Sequence, residues 1–176
     1  MTNEKARESC PRFDQVRLVA FHDIQAKGPM LARSLARKVL GNEEFCMQVD
    51  AHTDFANNWD QIALDEWKKT ENEFGVLSNV PADKATKSDY TEGGEKLTEV
   101  PRQCAVRFLD NGFPDYIKPA DGKVVDLTKP LLGHGWSASF SFAKCHLEES
   151  VPYDNFSIYA MPLEQFSRFA RMWTRG

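Results

Sequence analysis

Apolar residues fall along this chain in short runs and in helical stripes, and their alternation predicts an α/β order. Val16 to Phe21 (VRLVAF) is a mostly apolar run that stops at His22-Asp23 and predicts a first strand. After Gly28-Pro29, Leu31, Leu35 and Val39 recur at helical spacing with Arg33, Arg37 and Lys38 between them, and Gly41 ends the pattern. Phe45 to Val49 (FCMQV) reads as a second strand. Asn57 or Asn58 is placed to cap a helix through about Lys69, in which Trp59, Ile62, Ala63 and Trp67 keep helical spacing. Phe74 to Leu77 (FGVL) is a third short strand.

Strand, helix, strand, helix, strand is the α/β signature, and in such sheets ligands gather at the carboxyl ends of the strands, where Asp50 and His52 lie. The polar stretch 82–99, with Gly93-Gly94 and no steady period, predicts a mobile loop near 82–103. CAVRFL (104–109) and KVVDL (123–127) read as short strands separated by Asn111-Gly112 and Asp121-Gly122 turns. The last quarter carries GHGWSASFSFAKCH, then VPYD, then a C-terminal helix in MPLEQFSRFARMWTRG. In that helix Phe166, Phe169 and Trp173 form the expected core stripe, and Glu164, Arg168, Arg171 and Arg175 the expected solvated face.

With 176 residues, 41% apolar and 27% charged, the composition is that of one folded domain. A net charge of -4 argues against a general nucleic-acid partner, which would select clustered Lys and Arg. Cys10, Cys46, Cys104 and Cys145 form no C-x-x-C pair and read as reduced thiols. No membrane segment and no signal peptide appear, so the expected location is cytoplasmic.

Asp50-x-His52 is the sharpest chemical signal. In an extended segment side chains alternate, so both would point to one side, and a carboxylate with an imidazole suits Mn²⁺ or a similar ion able to hold a diphosphate. The same tripeptide fits an ordinary turn with a surface histidine. Asp54 adds a carboxylate or caps the next helix, and His22-Asp23 either faces the same rim or merely closes its strand. Arg33 is a forked phosphate donor or a solvated helix residue. His134-Gly135-Trp136 is a ligand approach or a packing corner, and His146 a surface helix residue.

Taken in order, GPMLAR (28–33), FCMQVDAHTDFANNWD (45–60), FGVLSNVP (74–81), GWSASFSFA (135–143), VPYD (151–154) and EQFSRFARMWTRG (164–176) resemble the glycosyltransferase (GlcNAc) family, glycosyltransferase family 60. The resemblance implies retaining transfer of N-acetylglucosamine from UDP-GlcNAc to hydroxyproline on a protein acceptor. It also implies a GT-A-like α/β fold, a mixed sheet flanked by helices, incomplete at both ends. Residues 1–15 would be a poorly ordered N-terminus and 16–176 a single GT-A-like domain. Asp50 and His52 would hold a divalent metal, Mn²⁺ or alternatively Mg²⁺, and the UDP diphosphate. Arg33 would face the nucleotide. Trp136 opens a block similar to the sugar-pocket floor of polypeptide N-acetylgalactosaminyltransferases, and Glu164 occupies an acidic position that contacts donor sugar or acceptor.

Glu164 and Asp154 are the candidate catalytic or positioning groups. This chain departs from the family's Gly-Glu-Glu or Gly-Glu-Asn pattern where Leu163 replaces the glycine before Glu164, and where Gln165 after it cannot supply a second carboxylate. Relatives begin with a further strand and helix that contact uracil, and continue past Gly176 to a histidine that resembles a third metal ligand. The alternative expectation is therefore a truncated, non-catalytic relative that binds nucleotide sugar, glycan or protein without turnover.

Overall fold

The computed structural model describes residues 10–81, 100–101, 105–117, 123–124, 128–159 and 163–175. Helices and short strands are mixed, in an α/β-like arrangement. Helix α1 spans Pro29–Ala36 and tightens into a 3-10 turn over Arg37–Val39. Its start is set by Gly28, at φ +95°, followed by Pro29, whose ring suits a first helical turn. A side chain at Gly28 would also meet the Tyr159 amide at 3.2 Å.

Strand β1 covers Phe45–Val49, the bounds its apolar run predicts. Helix α2 covers Trp59–Lys68, with Asn58 at its N-cap in the left-handed conformation and without a side-chain capping bond. Strand β2 is Leu77–Ser78, displaced toward the end of the predicted FGVL strand. The hydroxyl of Ser78 donates to the Phe140 carbonyl at 3.1 Å and accepts the Ser137 N–H at 2.8 Å.

Two short ladders lie apart from this sheet. Val100–Pro101 (β3) pairs with Lys123–Val124 (β6), and Ala105–Phe108 (β4) with Pro114–Ile117 (β5). The Asn111-Gly112 turn joins β4 to β5, with Gly112 at φ +80° and the Asn111 carboxamide accepting from Phe113 N–H at 3.1 Å. Strand β5 has no forecast in the hydrophobic pattern. The Asp121-Gly122 turn and most of the 82–103 loop lie outside the described residues, as do residues 1–9 of the expected N-terminal tail.

Strand β7, Phe140–Lys144, forms the centre of the main sheet, in the order β1-β7-β2. It is antiparallel to both neighbours, so β1 and β2 run the same way, with α2 in the crossover between them. The strand period divides the sheet into two faces. Phe45, Met47, Phe140 and Phe142 meet Ala63, Leu64 and Trp67 of α2 on one face. Phe45 stacks on Phe142 at 5.2 Å and meets Trp67 edge-on at 4.9 Å.

On the other face, Ala143 packs with Leu147 of α3 (His146–Ser150), Val151 and Met172 of α4 (Leu163–Trp173). Trp136, Ala138 and Tyr153 form an adjoining cluster with Phe169. The sheet is thus covered on both sides, as an α/β layer requires.

Three expectations are corrected. VRLVAF is not a strand: residues 16–21 lack regular structure, and Leu18 is 77% exposed. Among the described residues no strand pairs with that segment, and an unpaired strand has no ladder to satisfy its backbone. In α4, Glu164 is only 4% and Arg168 2% exposed, while Trp173 is 56% exposed, so the helix turns charge inward where a solvated face was expected. Each buried charge has a partner on another element, described below. The cysteines are not all thiols either: Cys46 and Cys145 form a disulfide across the β1/β7 pair, with Cα atoms 4.9 Å apart. Cys10 is free.

Candidate functional site

Asp50 follows β1 directly, and the chain turns there instead of staying extended. Thr53 N–H donates to the Asp50 carbonyl at 3.2 Å, with Ala51 and His52 at the turn's centre. The root of the turn is fastened to the segment before β7 by Asp50 N–H, which donates to the Ser139 carbonyl at 3.4 Å. Asp50 is half-buried and His52 exposed. The alternation argument for a shared direction does not apply to a turn; the two residues share a four-residue backbone turn.

Among the described residues no group of three or more His, Cys, Asp or Glu side chains is arranged to hold a metal ion. Asp50 and His52, the two residues expected to hold a metal, would supply two protein donors. That number suits an ion such as Mg²⁺ or Mn²⁺, which commonly takes one or two protein ligands and fills its remaining positions with substrate phosphates and water.

Arg33 and Glu164, 131 residues apart, meet in an ion pair between α1 and α4. Among the described residues only one carboxylate oxygen is engaged; Glu164 Oε2 is buried and has no hydrogen-bond partner there. One turn further along α4, Arg168 donates to Glu148 Oε1 at 2.6 Å and to the Val151 carbonyl. Tyr153 lies close to both guanidinium groups, with Arg168 at 4.3 Å and Arg33 at 5.9 Å from its ring centre. Burial pushes the Tyr153 phenol well above its ordinary range, despite the two arginines.

The Tyr153 hydroxyl donates to Gln48 Oε1 at 2.5 Å, and Gln48 Nε2 donates to the Ala138 carbonyl at 2.8 Å. Charge on α1 and α4 is thereby connected to the middle of β1. Arg33, Gln48 and Tyr153 also line an open cavity of about 720 Å³, whose other walls include Arg17, Arg37 and Lys144.

Trp136 is 2% exposed and belongs to the core. Its indole N–H donates to Ser141 Oγ at 2.9 Å, and its ring meets that of Tyr153 at 6.3 Å. Asp154 lies in the loop after Tyr153, where the Ser157 hydroxyl at 2.5 Å and the Phe156 N–H at 2.8 Å donate to it. These bonds, the Ser157 one foremost, hold its carboxyl below the usual range. His22 lies in an exposed turn, where its Nδ1 is 2.6 Å from Asp23.

The structure thus places Asp50 and His52 in one backbone turn and brings Arg33 to Glu164 and Trp136 to the residue preceding Asp154. Gln48, Tyr153, Glu148 and the inward-facing Arg168 were missed by sequence reasoning. Gln48 carries a usable signal, because a polar residue within the run FCMQV is informative where an apolar one is ordinary. Glu148 and Arg168 carry none, since their pairing depends on how α3 and α4 dock.

A protein-family model described as "Glycosyltransferase (GlcNAc)" matches residues 1–176. No curated protein and no solved structure matches at a significant level. No helix among the described residues is long and apolar enough to cross a membrane.

Proposed function

Because the chain belongs to the glycosyltransferase (GlcNAc) family, we propose that it works as a retaining transferase of the family 60 type. In this reading it moves N-acetylglucosamine from UDP-GlcNAc to a hydroxyl of a protein acceptor, hydroxyproline above all, and residues 16–176 form one GT-A-like domain. The observation that carries the reading, beside the family match, is the placement of Asp50-Ala51-His52 in a turn at the carboxyl end of β1. Such strand ends are where α/β sheets bind nucleotides.

Asp50 and His52 would hold the divalent cation, Mn²⁺ or Mg²⁺. When bound, that ion neutralises charge developing on the departing diphosphate. The sugar's C1–O bond to UDP breaks, C1 bonds to the acceptor oxygen on the same face, and the acceptor's proton passes to the released phosphate oxygen. This route needs no protein nucleophile. Glu164 would act as a positioning group, and its Oε2, which has no hydrogen-bond partner among the described residues, would accept from a sugar or acceptor hydroxyl. Arg33 fixes that carboxylate through its other oxygen and borders the cavity from which the nucleotide would be reached.

Asp154, kept as a carboxylate by Ser157 and the Phe156 amide, suits stabilising positive charge at C1 better than taking a proton. Trp136, as part of the core, would support the sugar pocket from beneath by fixing Tyr153.

A second reading is a relative that binds nucleotide sugar, glycan or protein without turnover. It is favoured by one observation: Arg33 and Glu164, both expected at the substrate, are engaged with each other and Glu164 is buried. Titration with UDP-GlcNAc, with and without Mn²⁺, on the native chain and on Asp50→Ala separates the two. Metal-dependent binding lost in the variant, with sugar transfer to a hydroxyproline peptide, supports the enzyme. Binding without transfer supports the second reading, and metal-independent binding unaffected by Asp50→Ala rejects the Asp50/His52 site.

A further inference from the structure

We propose that Gln48 and Tyr153 are positioning residues for the Asp50–Thr53 turn and, through it, for a divalent cation held by Asp50 and His52. The cation half rests on the metal reading above. Gln48 lies two residues before Asp50, on the strand that leads into the turn. Both ends of its carboxamide are used: Oε1 accepts from Tyr153 at 2.5 Å and Nε2 donates to the Ala138 carbonyl at 2.8 Å. The next carbonyl along, that of Ser139, receives the Asp50 N–H. One side chain therefore clamps β1 to the same short segment that holds the root of the turn.

The clamp matters because, among the described residues, few other bonds hold the turn. Of its two backbone bonds, the one at the root, Asp50 N–H to the Ser139 carbonyl, is long at 3.4 Å, and the one that closes the turn, at 3.2 Å, lies at the upper end of the ordinary range. Among the described residues β1 has a partner strand on one side only, so no second ladder fixes its end. The far end of the clamp is firm by contrast. Tyr153 is buried against Trp136, and its ring lies close to Arg168 and Arg33, which Glu148 and Glu164 hold in turn. The Ala138 end is equally fixed, since Ser137 and Ser139 on either side are hydrogen-bonded through the Ser78 and Ser137 hydroxyls.

A two-donor site on a turn depends on that turn's rigidity, and loss of outer-shell support commonly lowers metal affinity about 10–100-fold. Tyr153→Phe removes the hydroxyl and leaves the ring packing in place. The expected result is faster amide hydrogen exchange at Asp50 and Thr53, with β7 and β2 unchanged. Mn²⁺ binding, followed by the electron paramagnetic resonance signal of free Mn²⁺, should weaken about tenfold or more. Gln48→Met, of similar length without the amide, should reproduce both effects, and a Tyr153→Phe/Gln48→Met double variant should add little to either single one.

Unchanged exchange at Asp50 and Thr53 in both single variants overturns the proposal, as does acceleration spread evenly over the sheet, which would mark a merely structural role. Faster exchange with native Mn²⁺ affinity overturns the cation half. If the native protein binds no Mn²⁺, or Asp50→Ala binds it equally well, the metal reading itself fails, and the exchange result alone decides whether Gln48 and Tyr153 position the turn.

Discussion

Reduction of the Cys46–Cys145 bond is expected to cost this protein a large share of its stability. The two residues are separated by 99 positions, so the bond closes a loop nearly as long as a small domain. In the chain-entropy treatment a loop of about 100 residues contributes about 4.7 kcal/mol by restricting the unfolded ensemble. Net folding stabilities lie at roughly 5–15 kcal/mol, so this one bond accounts for about a third or more of a typical total. For a chain of this size each kcal/mol moves the melting temperature by about 2–4 °C, which puts the expected drop at roughly 10–20 °C.

The assay is thermal unfolding followed by circular dichroism, with and without a phosphine reductant, on the native chain and on Cys46→Ser/Cys145→Ser. The reduced native protein and the double variant should melt alike, well below the oxidised protein. Thiol titration in denaturant should find two thiols per chain without reductant, the remainder when two of the four cysteines are paired. Four titratable thiols in protein never exposed to reductant, or melting curves indifferent to the reductant, would refute the reasoning.

Three further outcomes concern a buried ion pair, a hydrogen-bonded loop carboxylate and the strained backbone. Glu164→Gln keeps the shape of the side chain but leaves Arg33 without its counter-charge; chemical denaturation should show a loss of about 2–3 kcal/mol, discounted to the bottom of the ~3–5 kcal/mol range for breaking a buried pair, and below it, because Arg33 is partly exposed. Ser157→Ala should raise the Asp154 pKa toward the ordinary carboxylate range, seen by carboxyl-carbon NMR titration. Since the folded pKa of Asp154 is depressed, its stabilising contribution is present above the unfolded carboxylate pKa and is lost as pH falls through the folded value. The variant should therefore be less sensitive to acid between about pH 5 and pH 3 than the native chain, with no effect at neutral pH beyond loss of the hydrogen bond itself. Gly28→Ala, placed at φ +95° and against the Tyr159 amide, should destabilise by about 1–3 kcal/mol in the same denaturation assay.

How far the chain's own pattern reached is clearest in β1 and in the helices α1, α2 and α4. Phe45–Val49 is an apolar run long enough to read as a strand, and α1, α2 and the body of α4 repeat apolar residues at helical spacing with recognisable ends. Hydrophobic period is a local property, which neighbouring residues carry without help from the rest of the fold. The ordered blocks from GPMLAR to EQFSRFARMWTRG were likewise legible, and the family match over residues 1–176 agrees with them.

The tertiary structure decided everything that depends on partners distant in sequence. VRLVAF has strand composition and forms no strand, because a strand requires a neighbour to receive its backbone bonds and composition cannot supply one. Glu164 and Arg168 sit one helical turn apart and would pair with each other on a solvated face. They are buried instead, because α1 brings Arg33 to one and α3 brings Glu148 to the other. The disulfide follows from the antiparallel register that sets Cys46 diagonal to Cys145, a relation 99 residues long. The sequence by itself determined the local elements and the family, since both are written in short-range pattern; the charge pairing, the disulfide and the bracing of the Asp50 turn arise only when docking brings remote groups within bonding distance.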